Sequence, residues 1–155
     1  ARKARPAGRV TGGPPMFAAL PLLALPVLFY NLIAVTTMPG GLRTAAAQVA
    51  MSRQLFQVPM PYGALWPVSL GDLIVFGSLL ILFIELLKST TSRKVVIINH
   101  TLSMLLFIVC LVEFLLFRAF ATSAFFLLTT MVLLDVLAGF IVTIVSARRD
   151  IDFGQ

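Results

Sequence analysis

The chain has 155 residues, 59% hydrophobic and 12% charged, where a soluble domain carries roughly 25% charged residues; too few charges remain to cover a water-facing surface. Its net charge of +6 sits at the ends of apolar runs, a placement that sets membrane orientation and argues against a nucleic-acid partner. The single cysteine, Cys110, lies inside an apolar run, which excludes an internal disulfide and a thiolate zinc site.

The predicted architecture is all-α and integral to the membrane, with four transmembrane helices, because the apolar runs approach the ~20 residues needed to cross a bilayer. Residues 1–15, "ARKARPAGRVTGGPP", form a basic cytoplasmic segment. The first span follows at 16–36, "MFAALPLLALPVLFYNLIAVT". Its run exceeds the apolar core of a signal peptide, so it reads as a retained helix. Pro21 and Pro26 are expected to bend it.

An outer loop occupies 37–67, about 30 residues long by this count. "LRTAAAQVAMSRQLFQ" within it can form a short helix. "VPMPYGALWP" is too proline-rich for regular structure and too apolar to float free. It is expected to lie along the membrane or against a partner.

The second span is 68–88, opening on "SLGD". This matches the Ser/Thr-x-x-Asp/Glu capping box, with Ser69 capping and Asp72 reaching back. Glu85 lies three residues before Lys88 and can pair with it at the membrane edge. Gly71, Ser78 and Glu85 recur every seven residues, marking a face suited to helix packing.

The third span, 95–117, carries Asn99, Ser103, Cys110 and Glu113 on one sparse polar stripe, with His100 beside its inner end. Such a stripe serves either as glue between helices or as a proton or solute path. Glu113 can also pair with Arg118. His100 is the only histidine and a candidate ligand for a heme or donor to a quinone, or a hydrogen-bond partner of Glu85.

The fourth span, 121–146, ends in a cytoplasmic tail, 147–155. Asp135 sits near its middle, where a charged carboxylate costs roughly 2.5–3.5 kcal/mol. Gly139, Thr143 and Ser146 follow on the same broad face, with Ala138 nearby. No basic residue shares the depth of Asp135, so its partner should be a hydroxyl or amide of the fold, or a group on another protein.

Nine basic residues fall between spans on one side and three (Arg43, Arg53 and Arg118) on the other. The excess predicts both termini in the cytoplasm, N-in and C-in, across a bacterial inner (plasma) membrane. Tyr30, Tyr62 and Trp66 all map to the outer interface, as membrane-anchoring rings would.

No nucleophile–base pair, GxxxxGKS/T, GxGxxG or HExxH pattern is present, so an enzyme is not expected. The expected function is a non-enzymatic integral subunit that packs against, assembles or stabilises a larger respiratory, photosynthetic or transport complex. Its partners would be the lipid bilayer and other integral membrane subunits. Two alternatives stand beside it: a small proton-linked transporter or channel using Asp135 with Glu113, and a quinone- or heme-contacting subunit. The polar candidates are Asp135, Glu113, Asn99, His100, Ser103, Glu85 and Gly139.

Overall fold

The computed structural model describes residues 20–37, 44–88 and 93–152. The basic N-terminal segment, the start of the first span, residues 38–43 and 89–92, and the last three residues lie outside that description, as do the side chains of Lys88 and Ser146.

Five α-helices and one hairpin make up the described chain: α1 Ala24–Thr36, α2 Ala46–Met51, β1 Gln54–Pro59, β2 Leu65–Ser69, α3 Leu70–Lys88, α4 Arg93–Leu116 and α5 Ser123–Asp152. A short 3-10 turn, Arg118–Phe120, joins α4 to α5. Three stretches are long and apolar enough to cross a membrane: Leu70–Leu87, Ile98–Leu116 and Ser123–Val145. Helix α1 has 13 residues and reaches only about 20 Å at 1.5 Å per residue. The final helix runs past the expected end at 146, so the first six residues of the expected tail are helical.

Neither proline lies in the interior of α1. Pro21 precedes the helix, and Pro26 falls in its first turn, where backbone N–H groups have no partner within the helix and a missing one costs nothing. Both prolines therefore mark where the helix begins. Ala24 N–H bonds Pro21 O at 3.1 Å and Leu25 N–H bonds Leu22 O at 3.0 Å, a tight turn that leads into the helix.

The membrane helices form one bundle with α5 at its centre. Of the apolar stretch of α5, 44% is buried, against 28% for α3 and 17% for α4. Gly71 allows α3 to approach closely. A Cβ there would stand 3.2 Å from both the Ala124 side chain on α5 and the Met51 carbonyl at the end of α2.

Among the described residues between α1 and α3, the "VPMPYGALWP" stretch carries regular structure, contrary to expectation. Its helical part is confined to Ala46–Met51, and β1 then pairs antiparallel with β2 through the "VPMPYGALWP" stretch. A turn explains how the prolines fit. Gly63 N–H bonds Met60 O at 2.9 Å, with Pro61 inside the turn, and Met60 N–H bonds Ala64 O at 2.9 Å. Gly63 adopts φ +88°, a conformation that only glycine takes without strain. Counting back along the alternating ladder from the Met60–Ala64 bond, Pro59 and Pro67 fall on non-hydrogen-bonded pairs. Each thus has its ring nitrogen on an open edge, where a missing donor is tolerated.

At the same end of the bundle, Gln48 on α2 donates to Arg118 O at 3.1 Å and Ala121 O at 3.0 Å, clipping α2 to the α4–α5 corner. Tyr30 lies inside that corner. It is fully buried, its ring 5.7 Å from Phe120 and 4.7 Å from Phe125. Its hydroxyl shares a 2.7 Å hydrogen bond with Thr122 Oγ1, and Thr122 Oγ1 also accepts from Phe125 N–H at 3.1 Å, capping α5. Tyr30 thus packs inside the corner at the hairpin end, whereas Tyr62 and Trp66 are exposed, at 80% and 50%.

Removing the Tyr30 hydroxyl should cost about 1 kcal/mol, the net value of a typical buried hydrogen bond. Thermal unfolding of Tyr30→Phe in detergent should show a lowered midpoint, while Tyr62→Phe leaves it unchanged.

Candidate functional site

The polar stripe of α4 faces into the bundle. Asn99, Ser103 and Cys110 are buried and Glu113 is half-buried. Each of the three capable side chains bonds a different helix. Asn99 Nδ2 donates to Glu85 Oε1 on α3 at 2.7 Å. Ser103 Oγ donates to Asp135 Oδ2 on α5 at 2.5 Å. Glu113 Oε2 accepts from Asn31 Nδ2 on α1 at 3.2 Å, and Arg118 is not its partner.

Glu85 carries the heaviest duty. It is fully buried, and its Oε2 accepts from Leu22 N–H at 2.6 Å. That amide lies just ahead of α1, where the first N–H groups of a helix lack carbonyl partners. In an apolar surrounding an unmet N–H costs several kcal/mol, so Glu85 supplies from α3 what α1 cannot supply itself. A carboxylate at this end also suits the positive pole of the α1 dipole. Glu85 therefore faces inward. It bonds Asn99, and the pairing with His100 considered from sequence is not formed.

His100 lies against α5. A Cβ at Gly139 would overlap the imidazole at Nδ1, Cε1 and Cγ, so the ring occupies the space that glycine leaves. Both ring nitrogens are buried and make no hydrogen bond among the described residues, as is also true of Asn99 Oδ1. Protein covers both nitrogens, so a heme or quinone at either would need the ring or its surroundings to shift.

Asp135 is 1% exposed. The hydroxyl that bonds it comes from Ser103 on the neighbouring helix. Thr129 and Thr130, its nearest polar neighbours along α5, turn back to the carbonyls of Phe125 and Phe126, both at 2.9 Å. Thr143 likewise bonds Gly139 O at 2.9 Å. On α3, Ser78 bonds Ile74 O at 2.6 Å, so it serves packing. The capping box forms as anticipated: Asp72 Oδ2 accepts from Ser69 N–H at 2.8 Å and Ser69 Oγ at 2.7 Å.

The structure thus gathers Glu85, Asn99, His100, Ser103, Asp135 and Gly139 into one polar layer toward the end of the bundle opposite the hairpin. Glu113 does not belong to it. Ten residues separate Glu113 from Ser103 on α4, about 15 Å along the axis. Two contributors were not singled out from sequence, Asn31 and the Leu22 amide. Asn31 is the one amide side chain in the first apolar run, and that was its signal. The Leu22 amide became visible only once the prolines had placed the start of α1.

The chain matches no family model, no curated protein and no solved structure, so its functional reading rests on its own residues.

Gly139→Ala should destabilise the protein by about 1–3 kcal/mol, as overpacking does. His100→Ala in the same chain should recover much of that loss. A double-mutant cycle read by thermal unfolding checks it, and strict additivity would mean that the ring and the glycine do not share the space.

Proposed function

We propose that the chain is a non-enzymatic integral membrane subunit that packs against, assembles or stabilises a larger membrane protein complex. In this reading α1 and the residues before it form a fourth span, with both termini in the cytoplasm and the hairpin on the outer side. The observation that carries it is the hairpin. Leu55, Phe56, Tyr62, Leu65 and Trp66 are each 47–80% exposed, on a two-stranded unit that is marginal in water by itself. Exposed apolar clusters of this kind mark interaction surfaces. The proline on each open edge favours recognition through side chains over strand addition. Within the bundle, by contrast, Glu85, Ser103, Glu113 and Asp135 bond across helices, so their polar groups are engaged inside the chain.

Gentle extraction from its own membrane followed by native mass spectrometry should yield the chain with defined companion subunits. Phe56→Ser with Tyr62→Ser should release them while shifting stability by no more than about 0.5 kcal/mol, as exposed substitutions do. A clean monomer or homo-oligomer from the native membrane overturns the proposal.

A second reading, a proton-linked carrier, draws on the polar layer, where two carboxylates and an imidazole lie within a few turns of one another. Glu113 is too far along α4 to join Asp135 directly, so Glu85 and His100 take its place in this version. The discriminating variant is Asp135→Asn, whose amide can still accept from Ser103. The carrier reading expects proton flux in reconstituted vesicles to be lost with the fold intact; the subunit reading expects companion binding and stability to be retained.

A further inference from the structure

A cleft of about 660 Å³ lies at the hairpin end, lined by residues of α2, α3 and α5 and by Trp66. Its volume falls within the range of small-molecule sites, roughly 300–1,000 Å³. The lining changes character with depth. Gln48, Ser52 and Asp72 stand at the mouth, and Leu79 and Leu127 lie below. From Asp72 to Leu79 is seven residues of one helix, about 10 Å of descent into its apolar part. Asp72 is the only charged side chain among the lining residues. Both of its bonds from Ser69 use Oδ2, so Oδ1 keeps its capacity to accept.

We propose that this cleft holds one phospholipid with an amine headgroup, drawn from the leaflet on the hairpin side. A wholly polar ligand would leave the lower wall unused. A wholly apolar one would bury the mouth, with its carboxylate and amide, against hydrocarbon. A molecule with a cationic head and an acyl chain meets both, the amine at Asp72 and the chain along Leu79 and Leu127. The charge of Asp72 selects among lipids: Ser69 occupies only its Oδ2, so the ammonium of phosphoethanolamine can pair with Oδ1, while an anionic head such as phosphoglycerol has no ammonium to offer it. The lower lining comes from two membrane-length helices, so an acyl chain lying along it would stay within its own leaflet. The proposal concerns lipid recognition and does not depend on the companion subunits proposed above.

Trp66 lines the cleft and is the only tryptophan of the chain, so its fluorescence reports on this place alone. The full-length protein is reconstituted in phosphatidylcholine vesicles. A small, equal mole fraction of phosphatidylethanolamine or phosphatidylglycerol, brominated high on the acyl chain, is then added. Brominated phosphatidylethanolamine should quench Trp66 with roughly two- to fivefold higher apparent affinity than brominated phosphatidylglycerol, the preference an exposed ion pair provides. Asp72→Asn, which keeps an acceptor for the cap, should abolish the preference. Ser123→Phe, which fills the mouth without touching the cap, should lower quenching by both. Thermal unfolding of each variant confirms that the bundle is intact. Quenching that follows mole fraction for every headgroup would mean ordinary boundary lipid and overturn the proposal. Absence of quenching, or a preference that survives Asp72→Asn, would overturn it as well.

Discussion

The bond between the Glu85 carboxylate and the Leu22 amide is the contact on which the rest of the arrangement depends. A helix that begins among apolar side chains exposes N–H groups with neither water nor carbonyl to receive them. Glu85 reaches across from α3 to meet one at 2.6 Å, and the same carboxylate accepts from Asn99 on α4 at 2.7 Å. Three helices are thereby tied through one side chain. Further along α4, Ser103 ties α5 and Glu113 ties α1. Helix α4 buries the smallest share of its apolar stretch, yet it bonds every other long helix. Apolar contact offers little net drive where the surroundings are also hydrocarbon, so polar bonds and close packing fix the register of these helices.

Close packing enters through two glycines used in different ways. Gly71 lets α3 come within van der Waals reach of Ala124 and of the α2 carbonyl end. That proximity brings α2 to the cleft, whose lining it shares with α3 and α5. Gly139 instead leaves room for a ring, and the imidazole of His100 fills it. The small-residue face on the last helix was legible from Asp135, Ala138, Gly139 and Thr143. What it receives could not be read from spacing, since a backbone and a side chain need the same empty volume.

Legibility followed the range of the interaction. The capping box from Ser69 to Asp72 spans four residues and formed as written. The inward stripe of α4 follows from the helical period: Asn99, Ser103 and Cys110 are covered and Glu113 is half-buried. Three of the predicted spans were located within a few residues, because apolar length is a property of the segment alone. The hairpin was missed because proline content was read without register: a single pair of strands has two open edges, and Pro59 and Pro67 can each use one. The burial of Tyr30 was not legible for a related reason. Its position in the first apolar run suggests the membrane surface, whereas its burial depends on Phe120, Phe125 and Thr122, some ninety residues away. Asn31 was passed over because its acceptor, Glu113, lies on another helix.

Two opposite solutions to the same constraint therefore coexist in one small chain. Inside the bundle, carboxylates and amides are paired across helices, so the bundle holds much of its polar chemistry within itself. At the hairpin end the balance is reversed: backbone groups are paired strand to strand, while large apolar side chains stay open on both faces. The turn chemistry at Met60–Ala64 and the edge prolines keep that surface ordered and keep it from pairing with strands at random. In the proposed reading this order without burial has a physical use, since side chains already held in place lose less entropy on meeting a partner.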